Sequence, residues 1–227
     1  MQGNQLNLNN FNKNIIDPVK LTFDSGVYNH GIEKTIENEV LRQLDKSNTN
    51  QIGYFHQNIF NHIGEGWSVP REGYDVVNKS KLIYVEMKNK HNTMNLSSSQ
   101  KTYMRMQNTL LQNPKAQCLL VEVIAGNSQN KIWEVTVDKQ KCKNESIRRV
   151  SIDKFYHLVT GDQFAFRDLC IVLPTVIKEV VDNLKDREIS NSVFKELKAI
   201  SPNLVKSIYM LSFGQYEGFS HFEPSKL

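Results

Sequence analysis

The sequence predicts an α/β protein built on a central mixed β-sheet with helices on both faces and a helical C-terminal extension. Three observations carry that expectation. A short run of high β-propensity, Leu82-Ile-Tyr-Val85, follows Val76-Val77 across the turn residues Asn78-Lys79-Ser80. A near-continuous apolar run, Cys118-Leu-Leu-Val-Glu-Val-Ile-Ala125, is short enough for a strand and apolar on both faces, as a central strand is. Between and around these runs lie segments of helical period.

Taken in order, residues 1–14 are rich in Asn and Gln, with Leu6, Leu8 and Phe11 as the apolar anchors, and read as a mobile or loosely docked arm. Ile32, Ile36, Val40 and Leu44 recur every fourth residue and predict a helix over about 31–46, closed by Asn48-Thr49-Asn50. Ile52, Phe55, Ile59 and Ile63 predict a second helix, with His56 and Gln57 on one turn, and Gly64-Glu65-Gly66 then forms a loop. After the hairpin of residues 74–88, the polar stretch Asn89–Ser99 reads as a loop, with one of Ser97, Ser98 and Ser99 capping the helix that follows over about 100–112. Tyr103, Met106 and Leu110 share one side of that helix and Lys101 and Arg105 another, and Asn113-Pro114 ends it.

Gly126-Asn127 closes the apolar strand, and residues 131–137 alternate as a half-buried strand pairing back as a hairpin. Arg148-Arg149, a plausible phosphate contact, precedes a short strand at Val150 and Ile152. Residues 153–159 read as helix, 161–166 as a loop leading into Leu169–Leu173, and 174–185 as a helix with Val176, Ile177, Val180, Val181 and Leu184 on its face. Val193, Leu197, Ile200, Leu204 and Tyr209 suggest one or two more helices. The expected organisation is therefore an arm over 1–14, a main domain over 15–175 and a helical extension over 176–227 that could serve dimerisation.

At 227 residues and 39% hydrophobic content, the chain can bury a substantial core. It contains no apolar run near the length of a membrane span and no N-terminal pattern of a signal peptide, so a soluble cytoplasmic protein is expected. Cys118, Cys142 and Cys170 are odd in number and widely spaced, which argues against a disulfide framework and against paired zinc ligands. The net charge of +4 is modest, but from Lys79 to Lys115 seven basic residues stand against the single acid Glu86. A phosphate backbone would be drawn to that neighbourhood. No Gly-rich phosphate loop is present, so a nucleotide-driven motor is not supported.

The chemistry concentrates in residues 74–88. Asp75 is followed, after ten intervening residues, by Glu86 and then Lys88. Strand side chains alternate faces, so Glu86 and Lys88 point the same way, about 6.6 to 6.8 Å apart along the strand, while Val85 and Met87 point the other way. A hairpin returns Asp75 toward Glu86. Two carboxylates suit Mg²⁺, which binds to one or two such groups, keeps several waters and takes further oxygens from a phosphate substrate. The Met87 carbonyl can add a third protein oxygen. Lys88 then stands beside the scissile phosphate, either orienting and deprotonating the attacking water or stabilising the transition state. Asn89, Lys90, His91, Asn92, Ser97, Ser98, Ser99, Lys101 and Arg105 follow as candidate DNA contacts, since Asn and Lys can read base edges and Ser suits phosphates.

An Asp, a spacer and Glu-x-Lys on a hairpin resemble the PD-(D/E)XK nuclease signature, with Tyr74 standing where that signature has Pro. The longer string Tyr84-Val-Glu-Met-Lys-Asn-Lys-His-Asn-Thr-Met-Asn-Leu-Ser-Ser-Ser99, with Ile52-Gly-Tyr-Phe-His-Gln57 before it and residues 118–125 after it, resembles a family of type II restriction endonucleases whose members cut GGWCC or GGNCC sites. The resemblance covers about residues 35–175. It implies a restriction-endonuclease-like fold, Mg²⁺-dependent cleavage of double-stranded DNA by a homodimer, and Mn²⁺ as a working substitute. It places Asp75, Glu86 and Lys88 in the catalytic positions and implies a prokaryotic setting with a cognate DNA methyltransferase. The PD-(D/E)XK pattern also favours Glu39, on the first helix, as a further metal ligand. Two other readings of the same residues are a structure-selective or repair nuclease and a DNA-binding module whose constellation is vestigial.

Overall fold

The computed structural model describes residues 7–137, 139–182, 191–217 and 219–224. Three helices come first: α1 (Leu8–Asn12), α2 (Pro18–Val27) and α3 (Ile32–Asn58). Strands β1 (Trp67–Ser68), β2 (Val76–Asn78) and β3 (Ile83–Lys90) lead into α4 (Leu96–Gln112). Strands β4 (Gln117–Ile124), β5 (Asn130–Val137) and β6 (Gln140–Ser151) precede α5 (Ile152–Thr160) and α6 (Ala165–Asp182), and α7 (Val193–Ile200) and α8 (Leu204–Phe213) complete the set. These elements fall into two compact units, Asn50–Glu179 and Met1–Thr49 with Val180–Leu227. The boundaries expected from sequence, at residues 14 and 175, do not coincide with this division.

The Asn50–Glu179 unit holds a six-stranded mixed sheet in the order β1-β2-β3-β4-β6-β5. The pairs β3–β4 and β4–β6 are parallel, and β1–β2, β2–β3 and β5–β6 are antiparallel. Alternation sorts the side chains. Val85 and Met87 of β3 join Leu119 and Val121 of β4 and Val150 of β6 on one face, packed by Phe155, Tyr156 and Val159 of α5. Cys118, Leu120, Trp133, Val135 and Ile147 form the other face, covered by Tyr103, Met106 and Leu110 of α4. Both faces of β4 are thus buried, which is why its sequence is an apolar run. Gly64, at φ 72, turns the chain before β1 so close to Val159 that a Cβ would lie 2.5 Å from it.

Several expectations need correction here. The strand β5 pairs only with β6, because β4 already has a parallel neighbour on each side. The strand β6 is longer than the fragment at Val150 and Ile152; its outer half carries exposed Lys141, Lys143 and Glu145, a polar alternation suited to an edge hairpin. The two helices expected over 31–46 and 52–63 are one, α3, followed by a 3₁₀ turn at Ile59–Asn61. Asn48, Thr49 and Asn50 each cost a helix only a few tenths of a kcal/mol to about 0.7 kcal/mol, too little to end it without a Pro. Likewise α6 begins at Ala165, inside the loop expected over 161–166, and continues through Pro174, where a helix start was expected. Residues 183–185, including Leu184, lie outside the described residues. The cap of α4 is Asn95, whose side chain accepts from the Ser98 N–H at 2.8 Å, and none of the three serines.

The second unit is helical. Its core joins Phe11 of α1, Ile16, Leu21 of α2, and Ile32, Ile36 and Val40 of α3 to Val193 and Leu197 of α7 and Leu204, Val205 and Ile208 of α8. Phe11 is fully buried, so residues 8–12 dock in this core through one of the anchors expected of the arm. Leu6 lies outside the described residues. The C-terminal helices pack on residues from the start of the chain, joining the expected extension to the N-terminal segment in one unit. Among the described residues no helix is long and apolar enough to cross a membrane.

Candidate active site

The hairpin of β2 and β3 is set by its turn. The Asn78 side-chain oxygen accepts from the Lys81 N–H at 3.0 Å and the Ser80 hydroxyl at 2.8 Å, while its amide donates to the Glu65 carbonyl at 3.1 Å. This fixes the register Val76↔Val85, Val77↔Tyr84 and Asn78↔Ile83. One residue before β2, the Asp75 N–H donates to the Val85 carbonyl at 2.9 Å, and the Asp75 carboxylate accepts from the Met87 N–H at 2.7 Å. In a strand, the N–H and C=O of one residue point to the same edge. The Met87 carbonyl therefore shares with Asp75 the edge of β3 that β2 leaves uncovered.

Glu86 lies on the α4 side of the sheet and is 9% exposed. Its Oε1 accepts from Lys88 Nζ at 2.7 Å and its Oε2 from Arg105 Nη2. The Arg105 guanidinium also donates to the Gly73 carbonyl at 3.1 Å and lies 4.6 Å over the Tyr74 ring. Tyr74 in turn meets Thr109 on α4, oxygen to oxygen, at 2.8 Å. A cavity of about 460 Å³ opens here, walled by Glu86, Lys88, Lys101 and Arg105. Its remaining wall comes from Thr93 and Met94 before α4 and from Ser98 and Thr102 in its first turns. Three cations against one carboxylate make it a pocket for an anion. Burial holds the Asp75 carboxyl above the usual aspartate range; the Met87 N–H opposes that rise and the Glu86 charge adds to it.

The donor set fits a hard divalent cation. Two carboxylates, of which Glu86 lines the basic cleft, and the Met87 carbonyl match an ion that takes its other oxygens from water and a phosphate. Among the described residues no group of three or more His, Cys, Asp or Glu side chains is arranged to hold a metal.

The structure places Asp75 on the Met87 N–H and pairs Lys88 with Glu86, and it sets Ser98, Lys101 and Arg105 with Glu86 and Lys88 around the pocket; Asp75 and Met87 are not among its lining. The other candidates stand apart from its lining. Asn89 and Lys90 continue β3, His91 and Asn92 begin the loop after it, and Ser97 and Ser99 lie on the first turn of α4. Glu39 belongs to the helical unit, where its carboxylate accepts from Arg42 and, at 2.9 Å, from Gln43; burial opposes but does not outweigh these partners, so its pKa stays below the usual range.

Thr93, Met94 and Thr102 are wall residues that the sequence did not single out, although Thr102 follows Ser98 by one helical turn, a spacing that places both on one face. Glu122 was visible as a lone acid inside the apolar run of β4. It is 2% exposed and pairs with Arg149, which is thereby committed within the fold; Arg148 donates to Asn130.

The Eco47II restriction endonuclease family matches residues 2–182 of the chain. The type II restriction enzyme Sau96I of Staphylococcus aureus is 28% identical over 223 residues, covering 92% of this chain and 85% of that protein. The type II restriction enzyme Eco47II of Escherichia coli is 29% identical over 183 residues, covering 75% of each. No solved structure matches. The chain thus belongs to the Eco47II restriction endonuclease family, and its class of activity is that of a type II site-specific deoxyribonuclease.

Proposed function

We propose that this chain hydrolyses phosphodiester bonds of double-stranded DNA with Mg²⁺ at a short palindromic site, GGWCC or GGNCC, acting as a homodimer alongside a cognate DNA methyltransferase. The observation that carries the chemistry is the placement of Asp75, Glu86 and Lys88 at one end of the hairpin, beside a cationic pocket that Glu86 and Lys88 line. Asp75, Glu86 and the Met87 carbonyl would hold the ion. When bound, it polarises a phosphoryl oxygen and lowers the pKa of a coordinated water.

The chain's own residues do the rest. Lys88 donates from Nζ to Glu86, which holds it at the strand end. As an ammonium there it stabilises the extra negative charge of the pentacovalent transition state. Lys101 and Arg105 hold the phosphate backbone in the pocket, and Ser98 and Thr102 add hydroxyl donors to its oxygens. Val85 and Met87 pack into the core on the face of β3 opposite Glu86 and Lys88, which anchors the strand that carries the reacting groups. A two-fold symmetric site needs two active centres, one for each strand, which two protomers supply.

The test is digestion of unmethylated plasmid with Mg²⁺ or Mn²⁺, with mapping of the fragment ends. Ends at GGWCC or GGNCC support the reading. Ends at junctions or lesions would favour a structure-selective nuclease, and retained DNA affinity without cutting would favour a binding module.

A further inference from the structure

A second charged group lies one strand away from Glu86, buried where an apolar side chain would otherwise stand. Glu122 sits opposite Lys88 in the parallel ladder of β3 and β4, and its carboxylate is 2% exposed. Its Oε1 accepts from Arg149 Nε at 2.8 Å and also from Nη2, while Oε2 accepts from Gln129 at 3.2 Å. The carboxylate is thus fully engaged by the protein, and its place is that of a counter-charge.

What the pair holds is the loop after the catalytic strand. Arg149 Nη2 also donates to the His91 carbonyl at 3.0 Å, and the His91 N–H donates to the Ile124 carbonyl of β4 at 3.0 Å. His91 is therefore held by β4 and, from beyond it, by Arg149 of β6. Farther along the same loop, Thr93 turns back onto the Lys90 carbonyl at 2.8 Å, and Asn95 caps α4. The loop between these anchors contributes Thr93 and Met94 to the pocket wall and sets where α4 starts, hence where Ser98 and Lys101 stand.

Resting on the nuclease reading above, we infer that Arg149 is a positioning residue for recognition and cleavage: with Glu122 as its buried counter-charge, it pins His91 and so fixes the 91–95 loop against bound DNA. A guanidinium is suited to this task because its planar fork serves the carboxylate and the carbonyl together. A lysine at the same position can keep the pairing with Glu122 but cannot make both sets of bonds.

The experiment compares wild type with Arg149→Lys on a duplex carrying the site mapped for the wild-type enzyme and on duplexes altered by one base pair. Thermal unfolding reports the folded fraction. The expected result is a wild-type melting profile, a fall of about 10- to 100-fold in kcat/KM on the mapped site, as for other residues that orient active-site groups, and a smaller ratio of mapped-site to altered-site cleavage. Should Arg149→Lys not fold, Glu122→Gln is read in its place, with the same loss of discrimination expected. Unchanged rate and discrimination in the folded variant would overturn the inference. So would a loss that merely tracks the folded fraction while discrimination stays at the wild-type ratio. A wild-type protein that does not cut would refute the nuclease reading itself, a result distinct from either.

Discussion

Arg105 of α4 donates to the Glu86 oxygen that Lys88 leaves open, so the central carboxylate of the hairpin carries a cation on each of its oxygens. A metal ion that binds Glu86 must share or displace one of them. Arg105 has alternative company in the Gly73 carbonyl and the Tyr74 ring, which makes it the partner that can yield. Replacing it should therefore ease metal binding while weakening the hold on DNA. Arg105→Ala is expected to bind Mg²⁺ several-fold more tightly in calorimetric titration without DNA, and to show a raised KM for duplex. Unchanged metal affinity would show that Arg105 does not compete at Glu86.

In the proposed reaction, Asp75 and Glu86 act on the reacting phosphate rather than on the remainder of the duplex. Asp75→Ala and Glu86→Ala should each abolish detectable cleavage, and gel-shift affinity for duplex should stay within a few-fold of wild type. Parallel loss of affinity and cleavage would indicate that these residues support the fold or the interface instead.

Lys88 is assigned to charge that exists only in the transition state. Lys88→Ala should lower kcat by about 10²- to 10³-fold, the cost of removing one such stabilising group, with KM little altered. Wild-type turnover would remove Lys88 from the mechanism.

The N-terminal segment tests the packing. Phe11 is fully buried among α3, α7 and α8, and Phe→Ala in a core costs about 3–5 kcal/mol. Urea unfolding of Phe11→Ala should show a loss of that order. A loss below about 1 kcal/mol, as at surface positions, would return residues 8–12 to a free arm.

Cys118 is buried, and burial pushes its thiol up, against the hydrogen bond it shares with Tyr74. A raised pKa keeps the thiol neutral and unreactive at pH 8, where a free cysteine forms appreciable thiolate. Alkylation of native protein at pH 8, mapped by mass spectrometry, should label exposed Cys170 and spare Cys118 until denaturant is added.

The hairpin was legible because its logic is local: alternation along one strand puts Glu86 and Lys88 on a common side, and turn residues bring Asp75 back. The face of α4 was legible for the same reason, through Tyr103, Met106 and Leu110 at helical spacing. Part of what escaped depends on distant partners. The continuation of α3 through Asn48-Thr49-Asn50 does not: these residues are exposed, and their weak propensities are too small to stop a helix, while nothing packed around the exposed Pro174 explains why α6 continues through it. Phe11 finds its core among helices near the other end of the chain. The pairs Arg105–Glu86 and Arg149–Glu122 exist only once strand order and register are set, and no spacing along the chain announces them.

The most direct test of the account is cleavage of unmethylated supercoiled plasmid by wild type and Asp75→Ala, each with Mg²⁺ and with EDTA. Discrete fragments from wild type with Mg²⁺, and intact plasmid in the other three reactions, are the predicted outcome. Intact plasmid in all four, or equal cutting by Asp75→Ala, would contradict the assignment of this hairpin as the catalytic centre.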